Sequence, residues 1–212
     1  MKFVPQANLS SLDPVWTTAT VTNNHGYYVF DMLYGADENL KPQPQMAEGH
    51  EVSADGKTWR IKLREGLSFH DGTPVKAVDC AASLKRWTQR DPYGQLLGRA
   101  VEEWGAPDDR TVEIKLKRPF PMMLDCLAKS DQPPVIMPER LAKTDANTQV
   151  TEMIGSGPYK FVASGYVSGS KVVYEKFEGY KPRAEPPSGN AGGKVAHFKR
   201  IEWNILPDPA TS

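Results

Sequence analysis

The chain has 212 residues, enough to bury a sizeable core, and its 26 basic and 26 acidic side chains give a formal net charge of zero. That balance argues against nucleic acid as the main partner, because phosphate recognition needs a basic surface. No run of 18 apolar residues is present to read as a membrane span, and the opening MKFVPQANLSSLDP has no apolar stretch that would read as a signal peptide.

Residues 3–16 read as extended, up to Leu12-Asp13-Pro14. Thr20–Tyr34 reads as a helix with an apolar stripe of Val21, Tyr28, Val29, Met32 and Leu33, stopped by Gly35. Residues 39–46, with two prolines, read as a connector. Asp55-Gly56 supplies a tight hairpin turn, after which Trp59, Ile61 and Leu63 alternate with Arg60, Lys62 and Arg64, predicting a strand with one dry face and Trp59 in the core. Asp71-Gly72 reverses the chain again, and Ala77, Cys80, Ala81, Leu84 and Trp87 fall on one side of a helix that Thr73-Pro74 is expected to cap.

A further helix is expected within 90–106, and Asp108-Asp109 turns the chain into a strand over Thr111–Lys117. Pro119–Ala128 reads as a short helix that offers Met122, Met123, Cys126 and Leu127 for burial, and Pro133, Pro134 and Pro138 interrupt regular structure after it. Gly155-Ser156-Gly157-Pro158 reads as a crossing point whose glycines take unusual φ values. Lys171–Glu175 and Phe198–Leu206 are expected strands, the latter followed by Asp208-Pro209-Ala210-Thr211-Ser212, and Lys181–Lys194 reads as an exposed loop.

Few residues suggest chemistry. Cys80 and Cys126 lie among apolar residues and read as small buried hydrophobes, with a disulfide as the alternative. His25, His50, His70 and His197 stand more than fifteen positions apart, which does not fit a zinc motif. Glu102-Glu103 and Asp108-Asp109 are adjacent pairs whose side chains point apart, so neither forms an acid/base dyad. No nucleophile elbow, phosphate loop or dinucleotide fingerprint is present, and no catalytic residue, metal ligand or cofactor is expected.

The string AEGHEVSADGKTWRIKLREGLSFHDGTPVKAVDCAASLKRW over residues 47–87, joined in register by GSGPYKF over 155–161 and by Glu178-Gly179-Tyr180, closely resembles the family 5 solute-binding proteins, the extracytoplasmic receptors of peptide and nickel ABC importers. The chain departs from that pattern at Lys76, where the family usually carries Thr or Ser, and keeps only Asp79 of the acidic pair that comes next.

The resemblance implies a mixed α/β fold of the type II periplasmic-binding-protein kind. It implies lobe I built from residues 1–45 and 156–212, an inserted subdomain over 46–155, and a chain that stops before lobe II. It also implies a periplasmic or extracytoplasmic receptor, without enzymatic activity or cofactor, whose partners are an oligopeptide, a dipeptide or a metal chelate and an ABC permease, and which meets the membrane only through that permease. Ligand contacts are then expected from Thr22, Asn23 and His25, from Arg90 and Tyr93, and from Ser130, Asp131 and Gln132. The alternatives are a hydrolase on an α+β scaffold, which would need a catalytic constellation the chain does not spell out, and a peptide-binding regulator on the same fold.

Overall fold

Gly56 and Gly72 sit at φ 69° and 87°, in the left-handed region that the two Asp-Gly turns require. In the computed structural model, which describes residues 1–206, the first of these turns joins β4 (Ala47–Val52) to β5 (Thr58–Leu63) as an antiparallel hairpin. Ile61 and Leu63 are buried as the alternation predicts. Trp59 is only half-buried: it stacks on the His50 ring at 5.1 Å and its indole N–H, although buried, has no partner. It packs at the margin of the core rather than inside it.

The helix after the second turn is α2 (Ala77–Trp87), and its stripe of Ala77, Cys80, Ala81, Leu84 and Trp87 is buried. Thr73-Pro74 does not cap it. Thr73 donates to Asp71, Pro74 bridges to Ser68, and the Asp79 carboxylate accepts from the Lys76 N–H at 2.8 Å. Its other oxygen accepts from the Glu139 N–H at 2.7 Å.

Five expectations change at element boundaries. The first helix, α1, spans Thr20–Val29, and Tyr34–Ala36 (β2) pairs with Pro42–Pro44 (β3), the latter inside the 39–46 stretch read as a connector. Long-range bonds end α1: the Val29 carbonyl accepts from Gly157 N–H at 2.9 Å, and the Asp31 carbonyl from Ile136 N–H at 3.0 Å. Only Lys2–Phe3 (β1) of the extended N-terminal stretch joins a sheet. The 90–106 region splits into α3 (Pro92–Ala100) and a strand, β6 (Val101–Asp108), which pairs with β7 (Thr111–Leu116). β6 is mostly exposed, so it shows little alternation to read. The next helix, α4, is limited to Met123–Leu127 with Met122 exposed, and α5 (Glu139–Ala142) begins after Pro138.

β4-β5-β7-β6 form one antiparallel sheet. The second four-stranded sheet has the order β1-β10-β9-β8, in which β8 (Tyr159–Phe161), β9 (Lys171–Lys176) and β10 (Arg200–Asn204) are antiparallel and β1 runs parallel to β10. One contiguous core runs under both sheets, from Leu9 and Val15 through Trp87 and Ile114 to Tyr174 and Trp203. The Asp208–Ser212 stretch read as following the last strand lies outside the described residues.

The Gly-Ser-Gly turn uses its glycines for space rather than for φ. Neither Gly155 nor Gly157 has positive φ, but a Cβ on Gly157 would stand 2.6 Å from the Tyr28 carbonyl oxygen, and one on Gly155 would overlap that of Val29. The two sequence motifs are also bonded to each other. His70 N–H donates to the Gly155 carbonyl at 2.9 Å, His70 Nε2 donates to the Gly157 carbonyl at 3.0 Å, and Lys160 Nζ donates to the His70 carbonyl at 2.8 Å.

The 181–194 stretch is anchored rather than loose. Arg183 donates to the Gln45 and Ala47 carbonyls, and Lys194 Nζ lies 2.8 Å from the buried Asp31 carboxylate. Ala191, Gly192 and Gly193 are buried. Both cysteines are free and buried, and burial pushes their thiols up, that of Cys126 to about 11.

Candidate functional site

The β2–β3 ribbon, α3 and the segment around α4 enclose a groove of about 390 Å³. Leu40 and Pro42 line it from the ribbon, Tyr93 from α3, and Met122, Asp125 and Lys129–Asp131 from α4 and the loop after it. Leu40, Tyr93 and Met122 are 78%, 45% and 41% exposed, so the apolar wall is available to a solute from outside.

Two non-glycine residues in the described chain have positive φ, Leu40 at 60° and Gln132 at 47°. The first lines the groove and the second comes directly after Asp131, which does. Such conformations persist where the surroundings over-determine them, and they concentrate at binding sites. Around Gln132 the constraint is visible: its Nε2 donates to the Val15 carbonyl at 2.7 Å and its carbonyl accepts from Trp87 Nε1 at 2.8 Å.

The loop beside it is held as firmly. Asp91 caps α3 through the Gly94 N–H, and its other oxygen lies 2.7 Å from Lys129 Nζ. The same ammonium donates to the Asp131 carbonyl and stands 5.9 Å from the centre of the Tyr93 ring. Tyr27 hydroxyl donates to the Ser130 carbonyl at 2.7 Å, and Asn23 Nδ2 to Asp131 Oδ1 at 2.8 Å. Burial and the Asp131 charge raise the Tyr27 phenol, so it stays a neutral donor. These bonds fix the polar side of the wall.

Of the eight residues expected at the site, Tyr93, Ser130 and Asp131 line the groove and Asn23 supports it through Asp131. The other four are placed elsewhere. Thr22 is buried and its hydroxyl donates to the Ser11 carbonyl at 2.8 Å. His25 is wholly buried, with Nδ1 2.8 Å from the Tyr174 hydroxyl and Nε2 3.4 Å from Met153 Sδ, and burial pulls its imidazole down to about 3. It is a neutral core histidine that no solute reaches. Gln132 is buried under the loop, and Arg90 lies 4.4 Å over the Trp16 ring while donating to the Trp16 carbonyl and Asn147.

Leu40, Pro42, Met122, Asp125 and Lys129 were not among the expected residues. Leu40 alone left a trace, as a single large apolar residue within the polar run Asp37–Lys41.

A second concavity of about 320 Å³ lies on β4 and β5, with Glu48, His50, Arg60 and Lys62 in its lining. Its cations are already paired, Lys62 to Glu48 at 3.5 Å and Arg60 to Glu113 at 2.8 Å, and of its carboxylates Glu51 forms no ion pair among the described residues. In the ribbon groove, Asp125 and Asp131 form no ion pair among the described residues.

The family model described as bacterial extracellular solute-binding proteins, family 5 middle, matches residues 41–212. The probable peptide ABC transporter periplasmic-binding protein of Sinorhizobium fredii is 44% identical over 207 residues, which are 97% of this chain and 39% of that protein. The glutathione-binding protein of Pectobacterium atrosepticum is 31% identical over 177 residues, 82% of this chain and 34% of its own length. Among solved structures, the PBP AgaA of A. tumefaciens, in complex with agropinic acid, superposes with a TM-score of 0.77 at 27% identity, covering 100% of this chain and 40% of that one. The dipeptide-binding protein of a Pseudoalteromonas species, in complex with Met-Leu, gives a TM-score of 0.78 at 21% identity over 100% of this chain and 44% of that one, a likeness of fold. The chain thus spans about two fifths of the length of the relatives it matches.

Proposed function

The chain belongs to the family 5 bacterial extracellular solute-binding proteins, and from that premise we propose that it serves in an extracytoplasmic receptor that captures a small solute for an ABC permease. It acts by capture rather than by chemistry. The ribbon groove is one wall of the solute site, and residues 46–155 form a unit inserted between segments 1–45 and 156–212. The membership of β1, β8, β9 and β10 in one sheet supports that division, since the sheet draws on both flanking segments and on none of the middle one. The peptide and glutathione named for the relatives favour a peptide-like solute over a metal chelate.

The observation that carries the reading is the groove itself. It combines an exposed apolar wall with a polar loop whose groups are held by Asp91, Tyr27 and Asn23, which suits recognition of a small solute.

A solute resting on this wall keeps much of its surface in water, so the expected affinity is in the range of about a millimolar. Saturation-transfer NMR with glutathione and a panel of di- and tripeptides measures it. At least one solute should give a signal that Tyr93→Ala or Met122→Ala removes. Silence from the whole panel, or a signal indifferent to both substitutions, would overturn the groove as the solute site.

A further inference from the structure

We propose that Asn190, in the anchored 181–194 stretch, is a positioning residue that ties the ribbon wall of the groove to the loop wall opposite. The inference rests on the groove being the solute site, and it concerns what keeps that site in shape.

Asn190 does not line the groove, yet it bonds toward both sides of it. On the ribbon side its backbone N–H donates to the carbonyl of Ala36, a lining residue, at 2.8 Å. On the loop side its Nδ2 donates to the Tyr27 hydroxyl at 3.1 Å, and that hydroxyl donates in turn to the Ser130 carbonyl. The direction of this chain follows from counting protons. A phenol has one O–H to give. Once Tyr27 spends it on Ser130, its oxygen can only accept, and the Asn190 amide supplies the donor. Without that N–H the Ser130 loop loses its connection to the ribbon.

The neighbours of Asn190 hold it against the ribbon. Ser188 Oγ accepts from the Glu38 N–H at 3.2 Å, in the turn that carries Leu40. A Cβ on Gly35 would overlap the Asn190 carbonyl oxygen, and one on Gly189 would stand 2.6 Å from the Ala36 carbonyl oxygen. Backbone thus rests on backbone, with no side chain between to give way. Beyond Asn190, Lys194 Nζ is bound to the buried Asp31 carboxylate and stands 5.8 Å from the centre of the Tyr27 ring. One stretch therefore meets Tyr27 twice, at its oxygen and over its ring.

The test uses the whole ¹⁵N-labelled chain with Asn190→Ala, Asn190→Gln, Tyr27→Phe, and Asn190→Ala combined with Tyr27→Phe. None of these removes the backbone bond to Ala36. The amides of Ser130 and Asp131 are followed without solute, and glutathione and the same di- and tripeptides are then titrated.

Asn190→Ala and Tyr27→Phe should each shift the Ser130 and Asp131 amides. Each should also weaken solute binding by about two- to tenfold, the worth of one hydrogen bond. The double variant should bind no more weakly than Tyr27→Phe alone, because the two residues act in series. Asn190→Gln, which keeps the donor, should recover part of the affinity, a rescue that a purely space-filling role would not give. Unmoved amides, unchanged affinity in Asn190→Ala, or losses that add in the double variant would overturn the proposal. The solute site would still stand wherever Tyr93→Ala removes binding. If no solute of the panel moves the Leu40 or Tyr93 amide of the unaltered chain, the solute site falls and the positioning role falls with it.

Discussion

His70 shows how much one side chain can be asked to do. It sits in the FHDGTP turn and accepts no proton readily, because burial holds its imidazole down at about 4. The neutral ring can then donate from Nε2 to Gly157 while Nδ1 faces the Gly155 N–H at 3.4 Å. His25, also buried, behaves in the same sense. Above pH 6.5 both rings are neutral in the folded and unfolded chain, and nothing is lost. As pH falls from 6.5 toward 4, the unfolded chain takes up protons that the folded chain refuses, so stability drops. Below about 4, His70 is protonated in both states and its loss levels off. The His70 share is about 3 kcal/mol. Urea midpoints measured from pH 7.5 to 4 should fall, and His70→Gln, which keeps a donor toward Gly157 but does not titrate, should flatten part of that fall. An identical pH profile in the variant would show that His70 is not held neutral.

Elements form here under competition between local pattern and distant partners. The α2 stripe is legible as a 3.6-residue period and is buried as read. Its start is not, because the capping carboxylate lies inside the helix at Asp79 and reaches back to Lys76, where a Ser or Thr would be sought. Asp79 also holds the α5 N-terminus through Glu139 N–H, and its carboxyl is raised by burial against those two bonds. Asp79→Ala should therefore cost about 2–3 kcal/mol, since it leaves two backbone donors without their partner. Thr73→Ala, at the cap expected from sequence, should cost under about 1 kcal/mol, as it removes only a bond to an exposed turn carboxylate. Chemical denaturation of the two variants decides between them, and the reverse order would restore Thr73 as the cap. The end of α1 teaches the same lesson: Met32 and Leu33 continue the helical stripe, yet the chain turns at Phe30 because Gly157 and Ile136 take the carbonyls of Val29 and Asp31.

At the scale of the molecule, two sheets share one core. Asp13 and Arg86 form an ion pair at 2.7 Å with side chains 0% and 2% exposed, and Arg86 also donates to the Thr144 and Thr148 carbonyls while Val150 N–H donates to Asp13. This joins the N-terminal segment, α2 and the 144–150 stretch in one place. Removing one partner of such a pair strands a buried charge, and Arg86→Leu should cost about 3–5 kcal/mol. Because Leu9, Trp87 and Trp203 belong to the same cluster, urea unfolding tracked by tryptophan fluorescence and by far-UV circular dichroism should give one coincident transition. Two separated midpoints would show that the proposed inserted unit is stable by itself.

Local chemistry by itself determined the features that depend on near neighbours: the two Asp-Gly reversals, the β5 and β7 alternation, the α2 stripe, and the dense FHDGTP and GSGPYKF strings that point to the family. Tertiary structure decided what depends on partners far along the chain. It set the early end of α1 and the pairing of β2 with β3, and it recruited the mostly exposed β6. It also reversed the meaning of His25. A histidine on a predicted helix looks like a ligand contact until Tyr174 and Met153, 149 and 128 residues away, are seen to enclose it. The groove belongs to the same class. Leu40, Tyr93, Met122 and Asp131 are scattered along the chain and share no spacing, and only the packing of the ribbon against α3 and α4 makes them one surface. Periodicity reports which face of an element is dry; it carries no information about which other element will cover that face.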